Sequence, residues 1–131
     1  QIREVAKIDA VPVMASAKTG LGTSEVLEAI IHRIPPPTGD VTKPLKALVF
    51  ASLYDSYRGV VLYVRVYDGV IRQESQLKFF SSGFRSKAEE IGYLVPAPVK
   101  SKSISAGEAG YLVAGIRDIH HIRIGETLTE E

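Results

Sequence analysis

The chain has 131 residues, 45% of them hydrophobic and none of them cysteine. That length can bury a core as one or two compact units, and the lack of thiols excludes a disulfide framework or a thiolate metal site and suits a reducing cytoplasm. Sixteen Lys plus Arg against fifteen Asp plus Glu leave a net charge of +1, so any nucleic-acid surface has to come from local clustering. No apolar run approaches the roughly 18 residues of a membrane helix. Gln1-Ile2-Arg3-Glu4 is no signal peptide, and a start without Met is expected of a piece of a longer protein.

The first forty residues read as an α/β unit. Val11-Pro12-Val13-Met14-Ala15 suits a buried parallel strand, and Ser16-Ala17-Lys18-Thr19-Gly20-Leu21-Gly22 is a small-residue loop after it. Val26, Leu27, Ile30, Ile31 and Ile34 then repeat at helical spacing, with Thr23 or Ser24 as the expected N-cap. Pro35-Pro36-Pro37 stops the helix, because proline lacks the N–H donor and pushes its predecessor out of the α region. Ile2, Val5 and Ile8 fit a second helical fragment. One strand and one helix cannot close a core, so residues 1–36 are expected to be the last βα unit of a larger domain. Residues 37–44 form a stiff Pro-rich linker, and 45–131 form a second domain.

From Leu45 onward the period changes to two. Strands are expected over Lys46 to Leu53, Val60 to Tyr67, Gln76 to Ser81, Ser86 to Leu94, Val99 to Ile104, Glu108 to Ala114 and Ile119 to Ile124. Asp68-Gly69, Ser82-Gly83, Pro96-Ala97-Pro98, Ala106-Gly107, Gly115 and Gly125 separate them. In the second of these strands Val60, Leu62, Val64 and Val66 share one face, and Val61, Tyr63, Arg65 and Tyr67 share the other. Many short strands with little helical pattern predict a mainly β fold, an antiparallel barrel that leaves no exposed edges.

Enzymatic constellations are absent. His120 and His121 are neighbours in an expected strand and point to opposite faces, and His32 lies far off on the helix, so the three do not make a metal site. A triad drawn from Asp55, Ser56 and His120 lacks the nucleophile-elbow spacing. There is no Gly-Lys pair to cradle phosphates and no asparagine at all. Asp55 and Arg58 flank the first turn and can pair there. Charge does cluster locally. Between Arg65 and Ile104 the cations Arg65, Arg72, Lys78, Arg85, Lys87, Lys100 and Lys102 face only Asp68, Glu74, Glu89 and Glu90. Arg85 with Lys87, and Lys100 with Lys102, each share a strand face, and two such strands side by side would form a phosphate-neutralising stripe. On composition alone this is an ordinary solvated face. Phe79, Phe80 and Phe84 fit packing rather than base stacking.

Several stretches together resemble the LepA-type translational GTPases. They are Ser16-Ala17-Lys18 after a strand, Ile34-Pro35-Pro36-Pro37, Pro44 to Phe50, Tyr54-Asp55-Ser56-Tyr57-Arg58-Gly59-Val60-Val61, Ser105 to Asp118 and Arg123 to Leu128. The resemblance covers essentially the whole chain. It implies that residues 1–36 are the end of a P-loop GTP-binding domain and that 45–131 form an EF-Tu domain II-like barrel. Ser16, Ala17 and Lys18 would be the guanine-recognition loop, with the Ala17 N–H on the base and the Lys18 stem beside the ring. It also implies a full-length GTPase that uses GTP and Mg2+ and acts on the elongating ribosome in back-translocation and translation fidelity. Its partners would be small-subunit ribosomal RNA and tRNA-bearing ribosomes, in the cytoplasm and peripherally at the cell membrane. On this reading Arg85, Lys87, Lys100 and Lys102 meet RNA, while Tyr54, Tyr57 and Arg58 support the contact with the GTP-binding domain. The segment itself is expected to bind no nucleotide and to be inactive alone.

EF-G and TypA share the barrel but match the Asp55 to Val61 run less well. A stand-alone RNA- or protein-binding barrel is the alternative. One departure is local: Gln73-Glu74-Ser75-Gln76 stands where the family has a Lys-Gly-Asp type turn.

Overall fold

The computed structural model describes residues 11–116 and 122–130, grouped into two units that divide between Pro36 and Pro37. In the first unit the expected strand at Val11–Ala15 is absent. No described strand lies beside it, and Val11 and Met14 are exposed; an isolated extended run has no ladder to complete. Helix α1 (Thr23–Arg33) forms as its periodicity predicts, but its N-cap is Gly22 in the left-handed region, not Thr23 or Ser24. The Thr23 hydroxyl instead donates to the Gly20 carbonyl at 2.9 Å. Glycine is required at 22 because a Cβ there would come within 2.0 Å of the Met14 carbonyl oxygen. Ile34 closes the helix, its N–H bonding to Ile30 O, before the prolines begin. Leu27, Ile30, Ile31 and Ile34 stay exposed. The expected helical fragment at Ile2, Val5 and Ile8 lies outside the described residues.

The second unit is the antiparallel barrel. Its strands are β1 (Lys46–Asp55), β2 (Gly59–Asp68), β3 (Val70–Arg72), β4 (Gln76–Phe79), β5 (Arg85–Lys87), β6 (Glu90–Val95), β7 (Ala97–Ser101), β8 (Ser103–Ser105), β9 (Ala109–Val113) and β10 (Thr127–Glu130). Eight of them run in the order β5-β4-β10-β1-β2-β9-β6-β7, and β3 pairs with β8 as a separate ribbon; among the described residues no ladder joins β5 to β7, so the sheet keeps two edges where the sequence pattern predicts none. Both sheets wrap one core, to which Val49, Val60, Leu62, Val64, Ile71, Leu77, Phe79, Ile91, Ile104, Leu112 and Leu128 contribute. Each such residue, fully withdrawn from water, stabilises the fold by about 1.5–3 kcal/mol.

Two expected strands prove to be four. Ser86 to Leu94 breaks at Ala88-Glu89, where Ala88 exchanges backbone bonds with Glu74 and Ser75 and the Glu89 N–H bonds to Val113 O. Val99 to Ile104 breaks at Lys102, and Pro96 becomes the tip of the β6–β7 hairpin, with Val95 opposite Ala97. The sequence pattern passes over β3 and β10, each only three or four residues long. Ile122 to Ile124 is not strand; the rest of the strand expected over Ile119 to Ile124, including His120 and His121, lies outside the described residues. Residues 37–44 are tied to the barrel: Asp40 N donates to the Asp68 carboxylate at 3.1 Å and Gly69 N to Asp40 O at 2.8 Å.

Candidate functional site

The β1–β2 turn is built by one carboxylate. Asp55 Oδ1 accepts the Tyr57 and Arg58 N–H groups at 2.9 and 3.0 Å, and Oδ2 accepts Arg58 Nε and Nη2 at 3.2 and 3.0 Å. Those bonds, the two amides foremost, hold the Asp55 carboxyl below its ordinary value. Gly59 then reverses the chain at φ 74°, and Val60 N bonds to Ile116 O. At the tip Tyr57 is 98% exposed, and Tyr54 is also open to solvent.

Arg58 ties this turn to β6, two places along the sheet from β2. Its Nη1 lies 3.5 Å from Glu90 Oε1 on β6, and its guanidinium sits 6.0 Å from the centre of the Tyr111 ring. Glu90 in turn accepts the Tyr111 hydroxyl at 3.0 Å on Oε1 and Lys100 Nζ at 2.6 Å on Oε2. The Lys100 bond is the foremost reason that the Glu90 carboxyl lies below its usual range, with Tyr111 adding to it and burial opposing. Burial and the Glu90 carboxylate push the Tyr111 phenol up. Beneath the polar groups Val61, Tyr111 and Val113 form a small second core on the outward face, with Tyr63 packed against it. Val61 and Tyr63, read as outward by their period, are thus covered in whole or in part.

The four basic residues do not lie on two paired strands. β5, which carries Arg85 and Lys87, and β7, which carries Lys100, lie at opposite ends of the eight-strand order and are not ladder neighbours. Between the two edges runs the β3–β4 turn, where Gln73 N bonds to Lys102 O and Glu74 N to Ala88 O. The stripe of two adjacent strands expected from the sequence is therefore replaced by two edges with a connecting turn. Lys87 pairs with Glu74 and Lys100 with Glu90. Glu74 itself sits at φ 73°, a conformation that suits glycine and costs other residues about 1–2 kcal/mol.

In the first unit Ser16 N donates to Leu21 O and Gly20 N to Ser16 O, both at 2.9 Å. Thr19 N reaches Ser16 Oγ at 3.4 Å. Among the described residues nothing accepts the Ala17 or Lys18 N–H, and both residues are exposed on the loop. The described residues contain no group of His, Cys, Asp or Glu able to hold a metal, and no helix long and apolar enough to cross a membrane.

Sequence reasoning found the Asp55–Arg58 pair but missed Glu90 and Tyr111 as its continuation. The alternation of β6 and β9 places them on the outward face, but only the β6–β9 register, Glu90 opposite Val113 and Gly92 opposite Tyr111, brings them together.

This chain has the fold of a segment of a translation elongation factor. A bacterial selenocysteine-specific elongation factor, EF-Sec, superposes with a TM-score of 0.74 at 20% identity, covering 98% of this chain and 22% of that one. The elongation factor SelB of Methanococcus maripaludis gives 0.74 at 22% identity over 88% of this chain and 25% of its own. No protein-family model matches. Among curated relatives, elongation factor 4 of Aquifex aeolicus is 47% identical over 130 residues, and that of Cyanothece sp. is 46% identical over 130. Elongation factor 4 of Thermus thermophilus is 47% identical over 118 residues. By sequence the chain belongs to the elongation factor 4, or LepA, family, of whose first members it spans about a fifth, 22% in each of the two with 130 matched residues. Of the GTP and Mg2+ that the family implies, the chain has no Gly-Lys pair to cradle the phosphates, and what the Ser16-Ala17-Lys18 loop offers a base is two amides with no acceptor among the described residues.

Proposed function

We propose that the chain is the part of a ribosome-dependent GTPase that runs from the end of the GTP-binding domain through the barrel, and that the full-length protein hydrolyses GTP on the elongating ribosome. The observation that carries this reading is the 47% identity to elongation factor 4 across 98% of the chain. In it the Ala17 N–H reads the guanine base and the Lys18 stem lies along the ring. The barrel docks on small-subunit ribosomal RNA through Arg85, Lys87, Lys100 and Lys102, and the exposed turn of Tyr54, Tyr57 and Arg58 bears on the GTP-binding domain. Cytoplasmic, ribosome-bound work in back-translocation and translation fidelity follows from the same reading.

The test uses the full-length protein. Its GTP hydrolysis is expected to rise on adding ribosomes, and changing Arg85, Lys87, Lys100 and Lys102 to Ala is expected to weaken small-subunit binding and flatten its salt dependence by about one unit of slope per lost phosphate contact. A full-length sequence without a P-loop, or hydrolysis indifferent to ribosomes, would leave the alternative of an RNA- or protein-binding barrel with no nucleotide link.

A further inference from the structure

Glu90 has one half-buried carboxylate and three partners that belong to different parts of the barrel. Oε2 holds Lys100 of the edge strand β7 at 2.6 Å; Oε1 holds the Tyr111 hydroxyl of β9 at 3.0 Å and faces Arg58 of the β1–β2 turn at 3.5 Å. The Glu90 side chain is 19% exposed and that of Lys100 77%, so an incoming phosphate can reach the ammonium while the carboxylate stays in place. Arg58 divides its guanidinium between Glu90 and Asp55, and Asp55 is the residue that fixes the turn's amides. We propose that Glu90 is a positioning residue that couples engagement of Lys100 by an RNA phosphate to the setting of the Tyr57–Arg58 turn. The inference rests on the reading above, in which Lys100 meets RNA.

The coupling follows from competition for charge. With RNA absent, Lys100 neutralises most of the Glu90 carboxylate, and Arg58 takes the longer, weaker contact. A phosphate that captures the ammonium leaves Glu90 with excess negative charge on the outward face of the sheet, and among the described residues the other cation in contact with it is Arg58. Arg58 then shifts its weight from Asp55 towards Glu90. That loosens two of the four bonds on Asp55, the carboxylate that holds the Tyr57 and Arg58 amides. The far end of the turn, where Tyr57 stands clear of the barrel, is thereby altered by binding at an edge strand several strands away in the sheet order.

The test is made on the full-length protein with isolated small ribosomal subunits, reading the salt dependence of binding and the hydrogen exchange of the Tyr57 and Arg58 amides, free and bound. For the unaltered protein we expect exchange at those amides to change severalfold on binding. Lys100→Met is expected to lower the salt slope by about one and to abolish the exchange response. Glu90→Gln keeps the size and the acceptor for Tyr111; it is expected to tighten binding roughly two- to fivefold, because Lys100 is released from a competing carboxylate, while the exchange response is lost. Glu90→Asp should restore part of it. An unchanged salt slope in Lys100→Met would overturn the RNA reading and the coupling with it. A lowered slope together with a full exchange response in Glu90→Gln would overturn the coupling alone, whereas a merely structural Glu90 would shift free and bound exchange equally.

Discussion

Replacing Tyr111 by Phe removes one oxygen and leaves the ring where it is, packed against Gly92 in a spot where even a Cβ on residue 92 would come within 2.7 Å of it. What is lost is the 3.0 Å hydrogen bond to Glu90. A bond to a charged acceptor contributes about 1.5–3 kcal/mol, but Glu90 retains Lys100 and Arg58 and is partly solvated, so the expected destabilisation is about 1 kcal/mol. For a domain of this size that lowers the thermal midpoint by about 4–8 °C. Urea unfolding of the chain, followed by far-ultraviolet circular dichroism, measures it. Tyr63→Phe is the control, since Tyr63 packs against the same outward cluster but donates no hydrogen bond to a described residue; its effect should be within about 0.5 kcal/mol. The sign with pH is fixed as well. The Glu90 carboxyl is lowered from 4.5 in the folded chain, so its charge-assisted contribution is fully present above that value and fades as pH falls through the lower folded one. The gap between the native chain and Tyr111→Phe should narrow in the same acid window. Equal effects of the two Phe substitutions, or a gap that widens in acid, would refute the account of this network.

Three further outcomes are expected. Gly92→Ala places a methyl group 2.1 Å from the Val99 carbonyl oxygen and 2.7 Å from the Tyr111 ring, so β7 or the ring has to move; a loss of about 1–3 kcal/mol in the same urea assay is expected, and a neutral result would mean β6 and β7 are not packed this closely. Glu74→Gly relieves the positive φ but adds freedom to the unfolded chain and breaks the pair with Lys87; these effects offset one another to within about 1 kcal/mol. Freed of its carboxylate, Lys87 should then bind small-subunit RNA more tightly at low salt, measured by filter binding with the full-length protein. Acid unfolding should begin below the ordinary carboxylate range, because Asp40, Asp55, Glu90 and Glu126 are all lowered in the folded chain. The unfolded state takes up protons first on the way down, so stability is full above about 4.5 and falls as the folded values are passed.

How much of this was legible depended on whether the cause was local. The alternation of Val60, Leu62, Val64 and Val66 needs no partner to declare an inward face, and the core contains all four. Helix α1 was equally readable from its spacing and its terminal prolines. Its cap was not: Thr23 and Ser24 have the right chemistry, but the chain enters the helix through Gly22 because the Met14 carbonyl leaves no room for a side chain there. The strand at Val11–Ala15 failed for the complementary reason, since its pattern is sound but strand formation requires a neighbour. β10 escaped notice because Thr127–Glu130 has only Leu128 as an inward anchor, and it exists through its pairing with β1 and β4 on either side.

The candidate site divides along the same line. Asp55 and Arg58 are three residues apart, so their pairing could be read from spacing, as could the exposure of Tyr57 at a polar turn. Glu90 and Lys100 are separated by a hairpin whose register depends on Pro96 standing at the tip, with Gly92 opposite Lys100. A strand predicted as unbroken from Ser86 to Leu94 cannot show that register. The same misreading made β5 and β7 look like neighbours and their cations like one stripe. Once Ala88-Glu89 is seen as a break, the charges sort into pairs between neighbouring segments: Lys87 with Glu74, and Lys100 with Glu90. A basic residue already neutralised by a carboxylate contributes less to a phosphate than its formal charge suggests, because binding has to displace the internal partner first. What such an arrangement gains is that the displaced carboxylate must find another cation, and at Glu90 that cation is Arg58.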